Sequence, residues 1–200
     1  PFKLLQLNDV SMFSAFVLGG SGLSFSKIEW KEDEWNYLKH KYNLSPISTY
    51  QWKSKGLRPV SFPRRMLLKL VWWLENIPIE EMLNKIEGES VYEYLSQRII
   101  HAPKELNLNQ KLLDMVMINC IIPFIWWKSH ILQNDELKEK ALDLYQKVSF
   151  EQNKVIAKWK KYNVTIKNAY DSQALLEIYN DFCSVNKCLE CSVGIKVLKN

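Results

Sequence analysis

The chain has 200 residues, 47% of them apolar, including eight Trp, nine Tyr and eight Phe. This is the composition of a globular chain with an aromatic-rich interior, and six Gly and seven Pro without a low-complexity tract leave no obvious linker. The net charge of +5 is unevenly spread: from Trp35 to Leu74 there is no Asp or Glu, against Lys39, Lys41, Lys53, Lys55, Arg58, Arg64, Arg65 and Lys69. The remainder is therefore net negative, although Lys147, Lys154, Lys158, Lys160, Lys161 and Lys167 form a smaller basic run opposed only by Glu151. Such asymmetry points to anionic partners and is silent about fold.

In chain order, Asn8 or Asp9 can cap a first helix, VSMFSAFVL, which Gly19-Gly20 ends. GGSGLSFS reads as a loop. A second helix is expected from about Glu32 to Tyr42, with Trp35 and Leu38 inward. From Asn43 to Phe62 the Pro and Gly signals are irregular. Ser61 before Phe62-Pro63 then looks like the start of a strongly apolar helix, MLLKLVWWLEN. Short helices are expected over Pro78–Ile86 and Val91–Ile100, the second with the capping-box spacing Ser90-x-x-Glu93.

The stretch Leu112–Trp127 (LLDMVMINCIIPFIWW) is interrupted only by Asp114, Asn119 and Pro123. A helix apolar on nearly every side is surrounded by protein or lipid. At about 1.5 Å per residue the run reaches roughly 24 Å, short of a bilayer core of about 30 Å. The expectation is a buried central helix bent near Pro123, with Asn119 as a core polar tie and no membrane span. Asn134 can cap the next helix, whose Leu137, Ala141, Leu144, Tyr145 and Val148 recur at three- and four-residue steps. Ser149-x-x-Gln152 is a second capping box, Asp171-Ser172 begins a further helix, and a last one starts near Cys191. The best strand signal, Val164–Ile166, is too short for a sheet. The fold expected is all-α, an irregular bundle of about eight to nine helices in a single domain over residues 1–200.

Cys183-x4-Cys188-x2-Cys191 is the sharpest local pattern. A Cys-x2-Cys turn lets two thiolates reach one metal, so a Zn or iron–sulfur site is one reading. Plain packing thiols at a helix–turn end is the simpler one, and a redox switch is a third. Cys120, inside the apolar run, is expected to be a buried neutral thiol. Uneven cysteine spacing does not suggest a secreted disulfide framework, and no targeting peptide is visible, so a cytoplasmic setting is expected. A start at Pro1 without Met suggests a piece of something longer.

The segment Trp52–Arg65 interleaves Trp52 and Phe62 with Lys53, Lys55, Arg58, Arg64 and Arg65. Phosphate backbones need cations, and unstacked bases lie on aromatic faces. The bland alternative is that the aromatics anchor an irregular connection while the cations solvate it. No helix-turn-helix, RRM or KH signature is present. Catalytic arrangements are thin: Glu80-Glu81, Glu87 and Glu89 read as solvated helix ends, and Asp171-Ser172-Gln173 as a cap. There is no P-loop, G-x-S-x-G or H-E-x-x-H.

The stretches LGGSGL, YLKHKYNLSPISTYQWKSKGLRP followed by FP, INCIIPF, and DSQALLEIYNDFCSVNKCLECSVG resemble the C-terminal half of an uncharacterised bacterial family, domain of unknown function 2851, found mainly in Bacteroidetes. The chain departs from the family pattern at LGGSGL, at Cys120 where the family has Thr, and at the start of the helix after FP. The resemblance implies a missing N-terminal half whose acidic and His motifs suggest a PD-(D/E)XK nuclease core. It makes this chain a helical companion whose basic loop faces nucleic acid, and the three C-terminal Cys the downstream ligands of an iron–sulfur cluster. Two functions are expected: a non-catalytic module contacting nucleic acid, or an interaction domain meeting the N-terminal half or an acidic protein.

Overall fold

The computed structural model describes residues 10–25, 30–58, 61–87 and 91–198. Among them the secondary structure is helical, with no strand, so the short Val164–Ile166 run stays a connection. The Asn8/Asp9 cap and the Ser90 capping box lie outside the described residues. The chain resolves into two compact units, residues 1–109 and 110–200.

The first unit contains α1 (Val10–Gly20), α2 (Glu32–Tyr42), α3 (Pro63–Asn76), α4 (Ile79–Glu87) and α5 (Val91–Ile100). α1 packs on both α2 and α3. Trp35 and Leu38, spaced by one turn, are the buried positions of α2, and Gly19 is what lets Trp35 approach: a β-carbon there would overlap its indole. Leu18, Phe25 and Val71 form a core cluster, with Leu67 and Leu68 of α3 against it. Asn43 ends α2 in the left-handed conformation, φ 50°, and returns its N–H to the helix. α3 begins one residue later than Ser61 suggests. Phe62 takes the cap position and Pro63 the first turn, where its missing N–H costs nothing. Further on, α4 and α5 are tied by Arg98 and Glu81, 3.1 Å apart.

The second unit contains α6 (Gln110–Val116), a π-turn at Met117–Ile121 and α7 (Ile122–Leu132), which run on as one helix of 23 residues. α8 (Asp135–Lys147), α9 (Lys154–Lys161), α10 (Ala169–Ile178), a second π-turn (Tyr179–Cys183) and α11 (Ser192–Leu198) follow. The bend expected near Pro123 takes the form of the first π-turn: proline has no N–H for the Asn119 carbonyl, and the Ile122 N–H reaches back to Met117 instead.

This helix is not buried all round. Leu113, Met117, Ile118, Ile121, Ile122 and Ile125 are buried, and α7 packs on α8, whose buried residues are Leu137, Ala141 and Leu144. The opposite face is open. Met115, Asn119, Pro123, Trp127 and Ile131 recur every four residues and are exposed, as is Cys120. Asn119 is thus no core tie; its amide donates to the Met115 carbonyl at 2.9 Å on an open surface. The helix also outruns its apolar core. With an 18-residue window of mean hydropathy 1.4, it is long and apolar enough to cross a membrane by length and composition. The length argument against a span therefore fails, although a third of that window is buried inside the fold.

Three helix starts share one device. Asn134, Asn153 and Asn168 each accept a backbone N–H three residues on, at 3.0, 2.9 and 3.2 Å. The second and third replace the Ser149 box and the Asp171-Ser172 start read from sequence. The connection ahead of α9 is tied to the start of α10 instead: the Ala169 N–H donates to the Val148 carbonyl at 2.8 Å, and the Glu151 N–H to the Ser172 hydroxyl at 3.1 Å.

Candidate functional site

The GGSG turn after α1 is the root of the basic segment. The Ser21 hydroxyl donates to the Leu18 carbonyl (2.6 Å) and accepts the Leu23 N–H (3.1 Å), which closes the turn on itself. Gly22 has φ +67°, and a β-carbon there would overlap the Ile47 carbonyl oxygen. The Ile47 N–H in turn donates to the Gly20 carbonyl at 2.8 Å. The indole N–H of Trp52 donates to the Ser21 carbonyl at 2.7 Å. Trp52 is therefore an anchor that is only partly open, and its role as a free stacking platform for bases is limited by that bond.

Beyond Trp52 the chain is exposed. The Leu57 N–H donates to the Ser54 carbonyl (3.2 Å) around Lys55 and Gly56, and Gly56 has φ +84°, as a type II turn requires at its third position. Lys53, Lys55 and Arg58 are all exposed along this turn. The Ser61 N–H donates to the Arg58 carbonyl at 2.8 Å and leads into α3, where Arg64 and Arg65 are exposed in the first turn. The Arg64 guanidinium lies over the Phe25 ring, 5.6 Å from its centroid. One cation group starts from Ser21 and the other touches Phe25, four residues later. Both cation groups are thus tied to the short stretch Ser21–Phe25, the first through Trp52 and the second through Arg64. None of the five has an acidic partner among the described residues.

Lys69 was visible in the sequence only as one more cation. In the structure its residue is 8% exposed. Burial, then the charge of Arg65 one turn earlier, draws its ammonium below the usual lysine value. At the end of α2, Lys41 sits over the Tyr37 and Tyr42 rings, and the Tyr37 hydroxyl holds its ammonium above the usual value.

The C-terminal thiols have a different setting. Cys183, Cys188 and Cys191 line one apolar pocket of about 230 Å³ with Trp159, Phe182 and Val193. Cys191 is buried, whereas Cys183 and Cys188 are exposed. The turn closes tightly, because a β-carbon on Gly194 would overlap the Cys188 carbonyl oxygen. Among the described residues no three His, Cys, Asp or Glu side chains gather to hold a metal ion. Cys120 is exposed, not the buried thiol expected from its apolar surroundings.

Residues 1–154 match the family described as "Protein of unknown function (DUF2851)". The chain belongs to this family. No curated protein and no solved structure matches it. The DUF2851 match takes in the GGSG turn, the basic segment, α3 and the π-turned helix, and stops before the three cysteines and the rest of their pocket. The resemblance noted for the stretch from Asp171 to Gly194 is thus outside the matched residues. There the chain's own contacts speak for structure: the Ser172 hydroxyl is fully buried, donates to the Ala169 carbonyl (3.0 Å) and accepts the Glu151 N–H. That oxygen is engaged in joining α10 to the preceding connection.

Proposed function

We propose that this DUF2851 chain is a non-catalytic helical domain of a larger bacterial protein that handles nucleic acid, and that it contacts phosphates through Lys53, Lys55, Arg58, Arg64 and Arg65. One observation carries the reading: a carboxylate-free run of chain presents exposed cations, without an acidic partner among the described residues, around a turn that is braced at Ser21, Gly22 and Trp52. Cations that answer no carboxylate raise a local positive potential, and a braced loop holds it in place for a polyanion. The test is fluorescence anisotropy with labelled single-stranded and duplex oligonucleotides. Lys53→Glu/Lys55→Glu/Arg58→Glu should weaken binding at least tenfold; binding unchanged by that reversal removes the basis for the claim.

A second reading has its own support. The open face of the long helix puts Trp127 at 57% exposure and Ile131 at 65%, and Phe124 and Trp127 have ring centroids 5.8 Å apart. An apolar stripe of this kind suits a protein contact. The partner in this reading is the N-terminal half that the family resemblance implies. Co-expression of the two pieces, followed by co-purification through a tag on one, tests it.

A further inference from the structure

Near the C-terminus the chain from Lys187 to Cys191 coils through two overlapping turns. The Glu190 N–H donates to the Lys187 carbonyl at 3.1 Å, and the Cys191 N–H to the Cys188 carbonyl at 3.4 Å. A turn of this kind holds its first and fourth α-carbons within about 7 Å. A disulfide needs them roughly 4.4–6.8 Å apart. The two spacings overlap, so Cys188 and Cys191 can be bridged with little movement of the backbone. Further contacts hold the turn in place. The Lys187 ammonium and the Glu190 carboxylate pair across it at 3.5 Å. Gly194 lies so close to Cys188 that a β-carbon on it would overlap the Cys188 carbonyl oxygen. The Ile195 N–H donates to the Cys191 carbonyl at 2.8 Å.

The two thiols differ in access. Cys188 is exposed, whereas Cys191 is 6% exposed. Both residues border the apolar pocket of about 230 Å³ that Trp159 and Phe182 also line. That cavity leaves room beside the turn for a side chain to change rotamer. Cys183 borders the same pocket but stands outside this turn, and its carbonyl accepts the Asn186 N–H at 3.4 Å in a turn of its own. An open thiol three residues before a covered one suits stepwise exchange. The first is reached from solvent, and the second is reached through the first.

We propose that Cys188 and Cys191 form a reactive dithiol that exchanges with a low-molecular-weight disulfide, RSSR. The Cys188 thiolate attacks one sulfur of RSSR, the S–S bond breaks, and one RS⁻ leaves behind a mixed disulfide on Cys188. The Cys191 thiolate then attacks the Cys188 sulfur, and the second RS⁻ leaves as the Cys188–Cys191 disulfide forms. The two protons given up by the protein thiols end on two RSH, and two electrons pass from the dithiol to RSSR. The site lies beyond the residues that match the family and is independent of the nucleic-acid reading.

The experiment takes the full chain, reduced, into mixtures of reduced and oxidised glutathione, followed by acid quenching, alkylation and peptide mass mapping. Cys188 and Cys191 should appear joined. Cys120, exposed on the long helix, serves as the comparison in the same sample and should stop at a mixed disulfide. A mixed disulfide follows only the ratio of the two glutathione forms, whereas an internal disulfide also follows their total concentration. Diluting the buffer tenfold at a fixed ratio should therefore raise the ratio of Cys188–Cys191 disulfide to dithiol tenfold and leave the Cys120 adduct unchanged. Cys191→Ala should trap glutathione on Cys188, and Cys183→Ala should oxidise like the parent. Cys188→Ser should slow the capture of glutathione by Cys191 at least tenfold. The proposal is overturned by a parent chain without the Cys188–Cys191 disulfide, or by one in which Cys183 takes the place of either partner. Cys191 reacting as fast without Cys188 overturns the order of attack and the proposal with it.

Discussion

A methyl group at position 22 would meet two obstacles. The backbone there is left-handed, at φ +67°, and the added carbon would overlap the Ile47 carbonyl oxygen. Gly56 is left-handed too, at φ +84°, but nothing lies within 4 Å of the same methyl. Strain at a left-handed non-glycine residue costs about 1–3 kcal/mol. Gly56→Ala should stay near the low end of that range. Gly22→Ala should exceed it, because the Gly20–Ile47 and Ser21–Trp52 bonds must open to admit the methyl. Urea unfolding midpoints check the difference, and equal losses at the two positions would show that the close approach at Gly22 contributes nothing. Since Trp52 leads into the cationic turn, Gly22→Ala should also weaken oligonucleotide binding, whereas Gly56→Ala leaves the anchor untouched.

At the level of elements, the long helix shows what a sequence pattern conveys and what it omits. The Leu112–Trp127 run marks a helix correctly, because local apolar content and the lack of Gly are enough for that. Which side is covered is a different matter. The run has apolar residues on every face, so its periodicity carries no direction, and only the packing of α8 decides that Ile122 and Ile125 are inside while Phe124 and Trp127 are out. Where a polar face exists, as on α2 and α8, the buried positions are readable in advance. Helix starts were legible in kind and misplaced by a few residues: Ser149 and Asp171 carry cap chemistry, but Asn153 and Asn168 sit where the preceding extended segment releases the chain. The basic segment was legible from charge alone. Its bracing at Ser21 and the covering of Lys69 were not, since both depend on contacts distant in sequence. Two substitutions on α7 separate the faces. Ile125→Ala should cost about 2–5 kcal/mol, as large-to-small changes in a core do. Ile131→Lys should change stability by less than about 0.5 kcal/mol. Thermal melts of both variants decide; comparable losses would mean that the open face is covered in solution.

For the molecule as a whole, the question is whether binding follows the placement of charge or only its total. A net +5 chain attracts polyanions weakly wherever its cations lie, and two basic runs compete for the role, one in each compact unit. Counterion release distinguishes them. For single-stranded nucleic acid the slope of log affinity against log salt is about −0.7 per phosphate neutralised. Lys53→Gln/Lys55→Gln should make that slope shallower by about 1.4, twice the single-contact value. Lys160→Gln/Lys161→Gln, on α9, removes the same formal charge from the other unit and should leave the slope unchanged within error. Lys161 and Lys160 are exposed, so their loss should not unfold α9, although Lys160 gives up its place over the Phe150 ring, 3.8 Å from the centroid. Anisotropy titrations at four or five salt concentrations supply both slopes. If the two double variants flatten the slope equally, binding tracks net charge, and the braced turn at Ser21 has no special part in it. If only the Lys53/Lys55 pair does so, the contact is localised to the segment that the GGSG turn holds in place, and the carboxylate-free composition between Trp35 and Leu74 is explained by what it faces.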